Sequence, residues 1–122
     1  MGPGNRLKFY WAFNNTGTWH PETAAGHGTT FSAPSIAETS NGVNIAVEGP
    51  HNSLKFFWAF NGSATWHAET VAGPGTTFSA PSIAVTTAGA NIAAVGASGS
   101  LKFYWIFTNT GTWHAETVAG GG

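Results

Sequence analysis

Leu7-Lys8-Phe9-Tyr10-Trp11-Ala12-Phe13 decides how this chain is read, because the stretch returns twice. It reappears as Leu54-Lys55-Phe56-Phe57-Trp58-Ala59-Phe60 and as Leu101-Lys102-Phe103-Tyr104-Trp105-Ile106-Phe107, each copy 47 residues after the last. Trp19/Trp66/Trp113, Pro34/Pro81 and Asn44/Asn91 keep the same register. A fixed period of this length is the mark of a repeat architecture, in which one unit cannot bury its own faces and leans on its neighbours.

Working outward, one repeat holds four strand-like segments separated by turn residues. Residues 7–13 are rich in aromatics and end at Asn14-Asn15-Thr16-Gly17, a turn sequence. Residues 19–25 form a second strand that closes a hairpin, and Gly26-His27-Gly28 breaks the chain. Residues 31–39 read as a third strand, Ser40-Asn41-Gly42 as a tight turn, and residues 43–48 as a fourth strand. No window of helical length carries a helical period free of Gly and Pro. The chain is expected to be all-β.

Two features choose the arrangement. Leu7, Phe9, Trp11 and Phe13 point to one face of their strand while Tyr10 and Ala12 point to the other. A strand that is apolar on both sides belongs to a sheet covered on both sides. The second feature is taper. Ser32-Ala33-Pro34-Ser35-Ile36-Ala37 and Asn44-Ile45-Ala46-Val47 are built of small residues, whereas the repeated motif is built of large ones. Sheets stacked radially converge at an axis and diverge outward, so small side chains belong on inner strands and aromatics further out. Pro34 and Pro81 fit the innermost strand, which has one free edge.

The predicted fold is therefore a β-propeller fragment of four-stranded antiparallel blades. It divides into an orphan outer hairpin (5–25) and two blades (31–72 and 79–119). Two blades do not close a ring, so closure is expected from further copies of the chain, arranged head to tail. Gly2-Pro3-Gly4-Asn5 aligns with Gly49-Pro50-His51-Asn52, and Ala119-Gly120-Gly121-Gly122 with Ala72-Gly73-Pro74-Gly75. Both ends thus read as inter-strand loops of a longer array.

Charged residues are 7% of the chain, against about 25% in ordinary domains. A net charge of -1 gives no basic footprint for nucleic acid, and no basic amphipathic stretch or long apolar run points to a membrane. Cysteine is absent, which removes disulfide and thiolate chemistry. No signal-peptide core is visible.

The recurring polar set is Lys8, Tyr10, His20 and Glu22, repeated as Lys55, Phe57, His67, Glu69 and as Lys102, Tyr104, His114, Glu116. An odd number of residues in the hairpin connection would place all four on one face, with Lys and Glu paired across the hairpin. The functional reading is a ligand site between blades, made of Trp19, His20 and Glu22, of Trp66, His67 and Glu69, and of Trp113, His114 and Glu116. There the tryptophan stacks on a sugar ring and the polar groups meet its hydroxyls. Two candidate ligands per repeat fall short of a metal coordination set, so no metal or cofactor is expected. Asp is absent, Ser35 and Ser82 lie away from any His of their repeat, and each repeated Trp-His-x-Glu stretch offers one acid. Neither a nucleophilic triad nor a glycosidase pair is supported, and no enzyme activity is expected.

Short Trp-rich repeats of four strands, several per chain, completed by oligomerisation, resemble the small β-propeller lectins of the fucose-binding and tachylectin-like kind. The resemblance covers the whole chain at the level of repeat pattern. It implies sugar sites between blades, glycans as partners and, for a natural lectin, secretion. The arginine that commonly anchors sugar in fucose-binding propellers has no counterpart, since Arg6 aligns with Ser53 and Ser100. The alternative expectation is an engineered or excised self-assembling propeller scaffold without a ligand.

Overall fold

A computed structural model describes residues 4–12, 17–63, 65–107 and 110–121. The chain is all-β. Its strands run β1 (Leu7–Trp11), β2 (His20–Ala25), β3 (Ser35–Glu38), β4 (Gly42–Gly49), β5 (Ser53–Phe60), β6 (His67–Ala72), β7 (Ser82–Val85), β8 (Gly89–Val95), β9 (Leu101–Phe107) and β10 (His114–Ala119). They make a two-stranded sheet, β1-β2, and two antiparallel four-stranded sheets in the orders β3-β4-β5-β6 and β7-β8-β9-β10. The repeated aromatic motif thus lies second from one edge of each full sheet, paired on both sides. In the hairpin it is paired on one side only. Phe13, at the end of the first motif, lies outside the described residues.

The expected two-sided burial is realised in the central sheet. Leu54 and Phe56 on one face of β5 join Ala46, Ile83, Ile92 and Tyr104 in a buried cluster against the last sheet. Phe57 on the opposite face joins Val43, Ile45, Val47 and Leu7 in a cluster against the hairpin. The three sheets therefore pack in chain order, with the central one covered on both faces. The short strands β3 and β7 touch, and the Ile83 N–H donates to the Ser35 hydroxyl at 3.1 Å. Close approach is possible there because these strands carry Ser, Ala and Ile in place of aromatic rings.

The third strand of the repeat is shorter than its pattern suggested, four residues (35–38) in place of nine. Pro34 has no N–H to give a ladder, and residues 31–34 are held otherwise. The Phe31 N–H donates to the Glu48 carbonyl at 2.8 Å, and the Ser32 hydroxyl accepts from the Glu48 N–H at 3.0 Å.

Successive units are fastened through left-handed corners. His51 (φ 57°) and Asn52 (φ 63°) turn β4 into β5. Their carbonyls then receive the N–H groups of Gly75, Thr76 and Thr77, each at 2.9 Å. Gly4 and Asn5 receive Gly28, Thr29 and Thr30 in the same way. Thr30 and Thr77 are fully buried by this arrangement.

Gly42 and Gly89 open β4 and β8 against a neighbouring backbone, where an added Cβ would collide with the carbonyl oxygens of Ala59 and Ile106. Gly42→Ala and Gly89→Ala are each expected to lower stability by roughly 1–3 kcal/mol, as overpacking does. Gly26→Ala, which meets open space, serves as the control. Denaturant titration checks this; equal midpoints for Gly42→Ala and Gly26→Ala would contradict the close approach.

Burial raises the Tyr104 phenol above its ordinary 10.0, opposed in part by its hydrogen bond with the Thr76 side chain. The phenol then ionises more readily unfolded than folded, so its contribution is intact below 10.0 and falls as pH climbs through that value. The repeat places Phe57 at the equivalent position, so Tyr104→Phe is expected to fold. Its melting temperature should fall less than that of the parent above about pH 10. Parallel alkaline loss in both proteins would assign the effect to other groups.

Candidate functional site

The Trp-His-x-Glu constellation is built by the register of the outer hairpin. Eight residues, 12–19, separate β1 from β2, and this even number sets Trp11 opposite His20, Phe9 opposite Glu22 and Lys8 opposite Thr23. The same register recurs between β5 and β6 and between β9 and β10. Histidine is thereby laid on the tryptophan of its own sheet. The ring centroids are 4.2 Å apart for Trp11 and His20, and 4.1 Å for both Trp58 and His67 and Trp105 and His114.

The expected pairing of Lys with Glu gives way to a different one. Lys8, Lys55 and Lys102 donate to the hydroxyls of Thr23, Thr70 and Thr117 at 2.9, 2.6 and 2.7 Å. They lie on the face opposite the carboxylates, because cross-strand partners share a face and the register pairs Lys with Thr. Each glutamate instead accepts an indole N–H from its own sheet. Glu22 Oε2 receives Trp11 at 2.8 Å, and Glu69 and Glu116 receive Trp58 and Trp105 at 3.2 Å.

The second carboxylate oxygen reaches the following sheet. Glu22 Oε1 accepts from the Trp66 indole at 3.0 Å, and Glu69 Oε1 accepts from Trp113 at 2.8 Å. Trp66 also meets Phe9 edge-on at 5.3 Å between ring centroids, and Trp113 meets Phe56 at 5.2 Å. An indole is a donor only and a carboxylate an acceptor only, so one carboxylate satisfies two indoles without a competing donor. Trp66 and Trp113 are half-buried between sheets; Trp19, the first of the series, is exposed. Among the described residues every buried side-chain nitrogen and oxygen has a partner, and no three His or Glu side chains gather as a metal set.

A groove of about 540 Å³ lies between the hairpin and the central sheet. Phe9, Trp11 and Ala12 line it from the hairpin side with Glu22. Glu38, Val43, the stretch from Ala59 to Ser63, and Trp66 line it from the central sheet. The space exists because the hairpin carries two strands. Between the central and last sheets, Ala37 of β3 and Ala46 of β4 help fill the equivalent region, and β1 has no such partner strands beside it. Of the expected site residues, the groove brings together Glu22 and Trp66; His20 and His67 are engaged on their tryptophans. It adds Phe60, Asn61 and Glu38, which sequence reasoning passed over. The one available signal was Glu38 itself, a charge where the next repeat has Val85.

No family model matches the chain, and a search of curated proteins finds no significant match.

Glu69→Gln leaves one carbonyl oxygen to serve two indoles and turns an amide N–H₂ toward the other. The expected cost is about 1–3 kcal/mol, with altered tryptophan fluorescence. A denaturation midpoint and an emission spectrum both unchanged would refute the shared-carboxylate joint.

Proposed function

We propose that this chain is a carbohydrate-binding module of β-propeller architecture. The hairpin and the two full sheets are successive blades, further copies of the chain complete the ring, and a sugar occupies the groove between blades. The groove beside β1 carries this reading. Its volume falls within the range of about 300–1,000 Å³ usual for small-ligand sites. Its walls combine aromatic faces (Phe9, Trp11, Phe60 and Trp66) with the polar groups of Glu38, Asn61 and Ser63. A sugar presents a C–H face to the first kind of group and hydroxyls to the second. Such a site binds and has no evident means of catalysis, and repetition around a ring would add avidity to a weak single site.

A second reading, a self-assembling scaffold without a ligand, is favoured by the carboxylates of Glu22 and Glu69. Both oxygens of each already accept from indoles, so these side chains act as joints between sheets.

Glycan-array screening followed by calorimetry separates the two. Phe60 and Glu38 are exposed, so Phe60→Ala and Glu38→Gln should fold normally. Each is expected to weaken binding of an array-positive sugar by about tenfold, or roughly 1.4 kcal/mol. A folded protein silent across the array would favour the scaffold.

A further inference from the structure

Equivalent positions in the three units differ sharply in exposure on the outward face of the hairpin and on the outward face of the last sheet. Ile36, 50% exposed where Ile83 is 8%, differs in the same way beside the two-stranded hairpin. Leu7 and Leu54 are 0% exposed beneath the following sheet, whereas Leu101 is 41% exposed on the last sheet. Val118 beside it is 60% exposed, while its equivalent Val71 packs into the cluster between the central and last sheets. On the hairpin the pattern is reversed. Phe57 and Tyr104 are each 3% exposed against the preceding sheet, whereas Tyr10 is 58% exposed, and Trp19 is 67% exposed where Trp66 and Trp113 are half-buried.

The polar joint is interrupted at the same two surfaces. Glu22 and Glu69 each accept an indole from the residue 44 positions later. Glu116 accepts from its own-sheet donor, Trp105, at 3.2 Å, and lies exposed on the last sheet. Trp19, in turn, stands exposed on the hairpin where Trp66 and Trp113 are held between sheets. From these complementary halves we infer that a second copy of this chain docks its hairpin on the open face of β9–β10, and that its Trp19 donates to Glu116 of the first copy.

The contact is heterologous: the face of Leu101, Glu116 and Val118 meets the face of Tyr10 and Trp19, and each of the two copies keeps its other face free for the next. Repetition of that rotation closes a ring or extends a fibre. The interface reuses a geometry that the chain already forms twice within itself, which is what makes the second copy the fitting occupant. This inference rests on the proposed ring of copies and specifies the surfaces that build it.

Two blocked variants test it. Trp19→Lys disables the hairpin face, and Leu101→Lys disables the face of the last sheet. Both residues are exposed, so circular dichroism should match the parent. By sedimentation equilibrium the parent should associate and each variant alone should remain monomeric. An equimolar mixture should form a dimer and nothing larger, since one good face remains on each partner. Should either lysine impair folding, Trp19→Ala and Glu116→Gln are read in the same way, each weakening self-association by about tenfold. A parent that stays monomeric at about 1 mM overturns both the docking and the ring. A parent that associates while either variant alone does so equally, or while the mixture stays monomeric, overturns the docking and leaves the ring standing. Glycan binding per chain should be unchanged in Leu101→Lys, because Leu101 does not line the groove.

Discussion

One carboxylate standing between two indole N–H groups joins each sheet of this protein to the next. Trp11 and Trp66 meet at Glu22, and Trp58 and Trp113 meet at Glu69. The arrangement resolves a specific difficulty. Large aromatic rings fill a widening space well, but an indole carried into that space brings a donor that needs an acceptor. A glutamate supplies two acceptor oxygens at the cost of one charge, in a chain with few charges. Histidine stacked on the own-sheet tryptophan holds that ring in the orientation from which its N–H reaches the carboxylate.

Around this joint the remaining features sort themselves by distance from it. In the central sheet the aromatic residues of the repeated motif meet a neighbouring sheet on both faces. Small residues occupy β3 and β7, where successive sheets approach most closely. The linkers are tied back onto left-handed corners by backbone hydrogen bonds, so that the spacing between units is set by main chain as well as by side chains. The last sheet and the hairpin each carry half of this scheme, and their uncovered rings and aliphatic side chains are the visible consequence.

The carbohydrate reading and the assembly reading draw on different parts of the molecule. The groove owes its existence to the missing partner strands beside β1, and its aromatic and polar lining suits a sugar. The faces inferred to join copies lie elsewhere, on Tyr10 and Trp19 and on Leu101, Glu116 and Val118. A residue type therefore does not disclose its role here. Trp66 and Trp113 pack between sheets, whereas Trp19, in the same Thr-Trp-His-x-Glu stretch, is exposed.

The sequence by itself determined the repeat, the all-β content and, for the central copy, the two-sided burial of the aromatic strand. Period and alternation are properties of neighbouring residues, and they survive in any fold the chain adopts. It did not determine which charged group pairs with which. That depended on whether the outer hairpin closes over an odd or an even number of residues, and the strand ends that set this number are decided by tertiary packing. With eight residues between the strands, glutamate moved to the tryptophan face and lysine to the threonine face. The groove, too, was invisible in the pattern, because it is bounded by Glu38, Phe60 and Trp11, residues distant along the chain. Only the packing of the two-stranded hairpin against a four-stranded sheet brings them to one place.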